Sequence, residues 1–198
     1  MTKIAAAADL TPREAIVRVA TELFGRKSYP ATSVRDIAGE VGVLAGSLYA
    51  HIAGKEELLL EIIERGIEEF YGEVTRAYKS EEFADAKLRA MILAHVKVVA
   101  KQPQRTQIVF HQWRYLGEEN QRRVRERRGD YESLFTLVLE EGVAEGSFAA
   151  DIDVKVTVLS ILGSLNWTPE WLSSDGPTSV EELSVRLSDA MMKGVLGR

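Results

Sequence analysis

The sequence predicts an all-α protein of nine or ten helices, on three observations. Nearly every periodic segment places its apolar residues three or four positions apart, which is the spacing of one helix face. No segment alternates convincingly with the period of two that marks a strand. Glycine and proline fall between the periodic segments, where they end helices. With 198 residues, 45% of them hydrophobic, the chain is long enough to bury such a core.

The first helix has a clear start. Thr11 and Glu14 have the spacing of a capping box, and Pro12 takes the first helical position, where its missing N–H costs nothing. Tyr29-Pro30 ends the helix. Its apolar stripe consists of Ile16, Val19, Ala20, Leu23 and Phe24.

Three further helices follow in the N-terminal part. Ser33 and Asp36 have capping spacing and open the second helix, which Gly42 ends. A short third helix is predicted over 45–51, and a long fourth helix starts at Gly54-Lys55. A helix, a glycine turn and a second short helix form a helix-turn-helix pattern.

The second half of the chain is predicted to continue with longer helices, at residues 83–101, 104–116, 119–145, 152–165 and 179–196. Residues 152–165 are apolar on almost every side, so this helix must be covered all round. We expect a homodimer in which 152–165 and 119–145 of each subunit build a four-helix interface. A helix buried fully within one subunit is the alternative.

Composition excludes several classes of protein. The chain has no cysteine, which rules out disulfides, a thiolate nucleophile and a cysteine-ligated zinc site. The first nine residues lack the apolar centre of a signal peptide, and no apolar run approaches the roughly 20 residues that span a bilayer. We therefore expect a soluble, cytoplasmic protein that does not bind a membrane.

Charge is distributed unevenly along the chain. The formal net charge is -5, which argues against a protein that coats nucleic acid. Residues 1–52, however, hold six basic and five acidic residues, whereas the remainder is acidic. Because DNA affinity depends on local phosphate neutralisation, a small and relatively basic head can still bind DNA.

The short third helix carries residues suited to DNA. Gly46 and Ser47 near its start would let the backbone approach base edges closely. Tyr49 and His51 can donate to phosphate oxygens, and Lys55 follows at the start of the next helix. Packing of Tyr49 between helices and simple exposure of His51 are the alternatives.

Over residues 11–60 these motifs together resemble the DNA-binding domain of the TetR family. The resemblance implies a DNA-binding head at residues 1–53 and a ligand-binding and dimerisation domain at residues 54–198. Two positions depart from the family pattern, because Leu44 replaces the usual polar cap of the third helix and Ile52 replaces a phenylalanine. The implied contacts with phosphates, bases or nearby backbone are Thr32, Ser33, Arg35, Ala45, Gly46, Ser47, Tyr49, His51 and Lys55.

Two segments of the second half are similar to the TetR subgroup that senses acyl-CoA thioesters. One is Ile161–Trp171, and the other is His111–Leu116 with the arginines and Tyr131 that follow. Pro169 departs from that subgroup and interrupts a helix. His95 joins the candidates because it lies within an apolar stripe. The expected ligand-binding residues are His95, Trp113, Arg127, Arg128, Tyr131, Asn166, Trp167 and Trp171.

The chemistry of a CoA thioester fits these residues. Its apolar acyl tail needs an apolar tunnel, and its phosphates need cations beside the opening. Arg127 and Arg128 interrupt the apolar stripe of a long helix and could supply them. Ion pairing of these arginines and ordinary core packing of His95 and the tryptophans are the alternatives.

The leading hypothesis is a transcriptional repressor that binds a palindromic operator in double-stranded DNA. An acyl-CoA from fatty-acid, sterol or aromatic-acid catabolism would release it from this operator. The alternative is a TetR-type regulator of efflux or metabolism that responds to another small apolar molecule. An enzyme is not expected, because the sequence pairs no nucleophile with a base and has no zinc-type histidine spacing. No metal and no cofactor are expected.

Overall fold

The computed structural model describes residues 10–172 and 178–196. Within those ranges the chain forms nine α-helices and no strand. The helices are α1 (Pro12–Lys27), α2 (Val34–Val41), α3 (Ala45–Leu48), α4 (Lys55–Ser80), α5 (Ala84–Lys101), α6 (Pro103–Gln107), α7 (Glu118–Glu145), α8 (Val154–Asn166) and α9 (Val180–Met192). The predicted all-α fold class is confirmed.

The predicted starts of the first two helices are present as capping boxes. The Thr11 hydroxyl accepts from the Glu14 N–H while Glu14 accepts from the Thr11 N–H, and Ser33 and Asp36 repeat this arrangement at α2. Gly42 ends α2 with φ of 86°, a left-handed conformation that a residue with a Cβ adopts only with strain. These caps fix the helix-turn-helix locally.

The predicted helix over 104–116 has a different structure. After α6 the backbone forms a π-helical segment, Ile108–Gln112, followed by a 3-10 turn, Trp113–Tyr115. A second 3-10 turn, Thr168–Glu170, follows α8 at Pro169, whose ring cannot continue the helix. The third helix is also shorter than predicted and ends at Leu48.

Two compact units divide the chain. One combines the chain up to Gly66 with Gln104–Val124, and the other combines Ile67–Pro103 with the chain from Arg125 onwards. The predicted functional boundary between residues 53 and 54 stays a prediction.

In the first unit, α1 packs against α2 around a buried aromatic residue, Phe24. Leu48 of α3 and Ile52 after it are also buried, so the replacement of phenylalanine by Ile52 keeps this position in the core. Arg13 of α1 is ion-paired with Glu57 and Glu61 of α4.

In the second unit, the core is built from α4, α5, α7, α8 and α9. Gly142 of α7 lies against the ring of Phe148, and a Cβ at this position would collide with that ring. A polar network lies beside this core, in which Tyr78 donates to Glu141 and Lys87 lies 2.9 Å from the same carboxylate.

Ser28, which follows α1, is the one described non-glycine residue with a positive φ. Its φ of 69° and ψ of 159° lie in a region that glycine tolerates and other residues enter only with strain. We expect Ser28→Gly to raise the free energy of unfolding by about 1 kcal/mol, after allowing for the flexibility that glycine adds to the unfolded chain. Chemical denaturation measures this, with Ser133→Gly on α7 as a control that is expected to lose stability. A loss of stability for Ser28→Gly would contradict the strain argument.

Candidate nucleic-acid interface and ligand site

The exposed end of the head is formed by α3 and the residues beside it. Leu48 is fully buried and fixes this short helix, whereas Gly46, Ser47 and His51 are exposed and Tyr49 is 58% exposed. Ala45 is half-buried. The fold therefore presents small and hydroxyl-bearing residues together on one surface, as a helix that reads a major groove requires.

The residues predicted at the start of α2 have different environments. Ser33 and Arg35 are exposed, and the hydroxyl of Ser33 already accepts from the Asp36 N–H. Thr32 is 1% exposed, and its hydroxyl donates to the Ser28 carbonyl at 2.8 Å. Its hydroxyl is thus engaged in the fold, and a phosphate contact from this side chain stays a prediction.

Lys55 connects the start of α4 to the turn between α1 and α2. Its Nζ donates to the carbonyls of Tyr29 and Thr32 at 2.8 and 2.7 Å and lies 4.1 Å from the centre of the Tyr29 ring. Burial lowers the pKa of Lys55. Two of its three N–H bonds are directed at these carbonyls, which leaves one for the predicted phosphate contact.

Gln112, at the end of the π-helical segment, was not anticipated from the sequence. Its Nε2 donates to the Phe24 carbonyl at 2.9 Å, and its Oε1 accepts from the Tyr29 N–H at 2.7 Å. Tyr115, three residues later, stacks on the Tyr29 ring with centroids 6.0 Å apart. These contacts hold the end of α1 to residues more than 80 positions away in the chain.

Two of the predicted ligand residues meet in the core of the second unit. His95 is fully buried, and its Nδ1 lies 2.7 Å from the Tyr131 hydroxyl. The ring of Phe70 lies 4.8 Å from that of His95, and Phe135 lies 5.5 Å from Tyr131, both between centroids. The structure therefore encloses one polar pair in aromatic surroundings.

Burial changes the proton affinity of both groups. It lowers the pKa of His95 to about 3, against the opposing effect of a hydrogen bond with the backbone of Leu165. Burial also raises the pKa of Tyr131. His95 is therefore a neutral imidazole in the folded protein throughout the physiological range.

This neutral histidine predicts a pH-dependent stability. The unfolded chain binds a proton at His95 below a pKa of about 6.5, whereas the folded chain does not until about pH 3. We therefore expect the His95 contribution to unfolding free energy to fall by about 2 kcal/mol between roughly pH 7.5 and 5. Urea denaturation at both pH values should show a smaller loss for His95→Gln than for the native protein. Equal losses would contradict burial of an uncharged His95.

The predicted arginines lie at the surface of α7. Arg127 Nη2 is 2.9 Å from a Glu68 carboxylate oxygen, and both side chains are well exposed. Arg128 is half-buried. The ion-pair alternative thus holds for Arg127 in this structure, although its partner lies on α4 and not on its own helix.

The remaining predicted ligand residues, three tryptophans and Asn166, lie in turns or at a helix end. Trp113 is half-buried in the 3-10 turn of the first unit, and the guanidinium of Arg114 lies 5.8 Å from its ring centre. Asn166 is the half-buried last residue of α8. Trp167 and Trp171 follow it and are 58% and 46% exposed. A role of these residues in ligand binding stays a prediction.

A surface groove of about 600 Å³ lies between the second half of α4 and α5. Its apolar residues are mostly alanines, and its rim carries the cations Arg76, Lys97 and Lys101 together with three glutamates. Lys101 lies 3.1 Å from Glu69, Lys97 lies 3.6 Å from Glu181, and Arg76 pairs with Glu73. No sequence pattern predicts this groove, because it depends on how the two helices pack.

One face of α8 is not covered within the protomer. The exposed apolar and small residues of this face are Val156, Leu159, Ser160, Gly163 and Ser164, and the exposed Lys155 flanks them at the start of the helix. They recur every three or four residues, so they form one continuous stripe of apolar and small side chains. Leu137 of α7 is a further exposed aliphatic residue, at 42%.

Two other features are absent from the described ranges. No group of three histidine, aspartate or glutamate side chains there could hold a metal ion. No helix among residues 10–172 and 178–196 is both long and apolar enough to cross a membrane.

Family comparisons identify the class of protein. Residues 16–62 match the model of bacterial regulatory proteins of the tetR family, and residues 81–195 match a tetracyclin repressor-like C-terminal domain. The chain therefore belongs to the TetR family, whose members are ligand-responsive transcriptional repressors that bind DNA through a helix-turn-helix and are not enzymes.

Particular relatives refine this picture. The chain is 26% identical over 184 residues to the HTH-type transcriptional repressor KstR2 of Mycolicibacterium smegmatis, covering 92% of this chain and 90% of KstR2. The structure of the ketosteroid regulator KstR2 of Mycobacterium tuberculosis superposes with a TM-score of 0.86 at 22% identity, covering 95% and 96% of the chains. AibR, solved with isovaleryl coenzyme A and operator DNA, gives a TM-score of 0.79 at 24% identity, covering 91% and 95%.

Proposed function

We propose that this repressor binds a palindromic operator as a homodimer and is released from it by an acyl-CoA thioester of lipid catabolism. The observation that supports the proposed acyl-CoA ligand is the hydrogen bond between His95 and Tyr131, which is surrounded by aromatic rings. Ligand pockets are mostly apolar and contain a few placed polar groups. A thioester carbonyl needs one donor, which Tyr131 or the neutral His95 can supply.

The groove between α4 and α5 supports a phosphate-bearing ligand. Arg76, Lys97 and Lys101 line it, and the pairs of Arg76 with Glu73 and of Lys97 with Glu181 are solvent-exposed, whereas Glu69, the partner of Lys101, is only 19% exposed. Such exposed ion pairs contribute about 0–1 kcal/mol, so phosphates can replace the carboxylates at little cost. The exposed pair between Arg127 and Glu68 has the same property.

The relatives support the ligand class. KstR2 is a repressor, and the solved KstR2 structure is that of a ketosteroid regulator. AibR binds a CoA thioester and operator DNA within this same fold. A thioester formed during lipid breakdown is therefore the effector class that we propose for this chain.

The uncovered face of α8 supports the homodimer. A contiguous apolar stripe at the surface of a soluble protein marks an interaction site. Gly163, Ser160 and Ser164 allow two copies of α8 to approach closely about a two-fold axis. Two heads related by that axis would read a palindromic DNA site.

Release would follow from a population shift. A ligand moves the equilibrium only as far as it prefers one conformer over the other. The segment after α5 carries Gln112, whose two hydrogen bonds hold the end of α1 and the Tyr29 turn. A ligand-bound conformer that moves Gln112 would reposition the reading head relative to its half-site.

Another small apolar effector is the second candidate. The groove carries as many glutamates as cations, so its formal charge does not favour an anion. A neutral ligand would need only the apolar surfaces and the His95–Tyr131 pair.

Two binding experiments test the proposal. Selection from a random pool of duplex DNA should return an inverted repeat, and calorimetry should detect CoA thioesters but neither free CoA nor the free acids. Recovery of only non-repeated sequences would contradict the palindrome. Tight binding of a free acid without its CoA ester would favour the second candidate.

A further inference from the structure

Leu44 is the most exposed large apolar residue described in this structure, at 81%, and its neighbour Val43 is 43% exposed. Both lie in the turn between α2 and α3, directly before Ala45. These two exposed apolar residues therefore lie immediately before the helix that carries Gly46 and Ser47.

The position of Leu44 makes its side chain unfavourable for the isolated protein. Leu44 is the N-cap of α3 and makes no side-chain capping bond, whereas Thr11 and Ser33 both cap their helices. Serine or aspartate here would satisfy an N–H of α3 and remove the exposed leucine from water. The stability of the fold therefore does not account for an exposed leucine at this position, whereas contact with a binding partner does.

We propose that Leu44, with Val43 beside it, contacts the C5-methyl group of a thymine in each operator half-site and thereby selects an A·T pair. A leucine side chain has no donor or acceptor and cannot bond to phosphates or polar base edges. The thymine methyl is the apolar group that base pairs present in the major groove. This inference rests on the proposed DNA-binding function and names a specificity residue within it.

The test removes only the methyl groups. A duplex selected by this protein from a random pool is prepared with each thymine in turn replaced by uracil, in both half-sites. Loss of one buried methyl is expected to weaken binding about fourfold per half-site, since burial of such a group contributes about 0.8 kcal/mol. One thymine position should therefore show the effect: a duplex with uracil at that position in both half-sites should bind roughly fifteenfold more weakly.

Two variants complete the test. Leu44→Ser should bind the thymine and uracil duplexes equally well, because it has lost the methyl contact. Phe83→Ser is the matched control, since Phe83 is an exposed apolar N-cap without a capping bond on α5, and it should discriminate as the native protein does.

The outcomes separate the two claims. Equal affinity of the native protein for all thymine and uracil duplexes would overturn the Leu44 proposal while leaving DNA binding intact. Failure to select any duplex would contradict the proposed function instead. The uracil series needs no variant, so an absence of any methyl effect overturns the proposal even if Leu44→Ser folds poorly, which circular dichroism would show.

Discussion

Leu159→Asp is expected to convert the protein to a monomer and to weaken operator binding at least a hundredfold. Leu159 is 53% exposed within the protomer and lies in the middle of the uncovered α8 face. A carboxylate there costs little in the isolated protomer, but it would be buried without a partner in a dimer interface, which is strongly destabilising. Two linked heads bind a palindrome far more tightly than one head, because the second contact is intramolecular.

Light scattering coupled to gel filtration measures the mass, and fluorescence anisotropy with a selected duplex measures the affinity. Phe83→Asp is the control, since Phe83 is 62% exposed and is the N-cap residue of α5 instead of a member of the α8 face. A Leu159→Asp protein that remains dimeric and binds DNA normally would contradict the proposed interface.

Gln112→Leu is expected to lower the free energy of unfolding by about 2 kcal/mol. The substitution removes the Gln112 acceptor of the Tyr29 N–H, and a buried polar group left unpaired costs about 1–3 kcal/mol. It also removes one donor to the Phe24 carbonyl, which keeps its hydrogen bond from the Ser28 N–H. Operator affinity should fall as well, because these bonds hold the end of α1, while calorimetric binding of the CoA thioester should persist.

Urea denaturation, anisotropy and calorimetry on one protein preparation separate these effects. Gln121→Leu is the matched control, because the side chain of Gln121 on α7 donates to the Arg114 and Leu116 carbonyls, which lie only seven and five residues away. Unchanged stability and unchanged operator affinity in Gln112→Leu would show that this contact does not hold the head.

Local signals in the sequence predicted most of the helices. Helix starts at Thr11 and Ser33 and the helix end at Gly42 depend on residues only a few positions apart. These helix boundaries therefore follow from local chemistry. The π-helical segment Ile108–Gln112 could not be found in this way. Its side chains have helical periodicity, and the contacts of Gln112 lie more than 80 residues away.

The candidate sites were predictable to different degrees. Gly46, Ser47 and Tyr49 are exposed together because a short helix leaves few ways to orient them around the buried Leu48. His95 and Tyr131 come from different helices, yet each lies in an apolar stripe, and the core brings them together. Arg127 shows the limit of local spacing, since its partner Glu68 belongs to another helix.

Titration of a preformed operator complex with CoA thioesters shows whether an acyl-CoA releases this repressor from DNA. Anisotropy of a labelled duplex would be followed while short-chain, long-chain, steroid-derived and aromatic acyl-CoA compounds are added, with free CoA and the free acids as controls. We expect at least one thioester to release the DNA at micromolar concentration, while its free acid and CoA do not. Release by none of the thioesters, together with release by an apolar molecule that lacks CoA, would contradict the proposed effector.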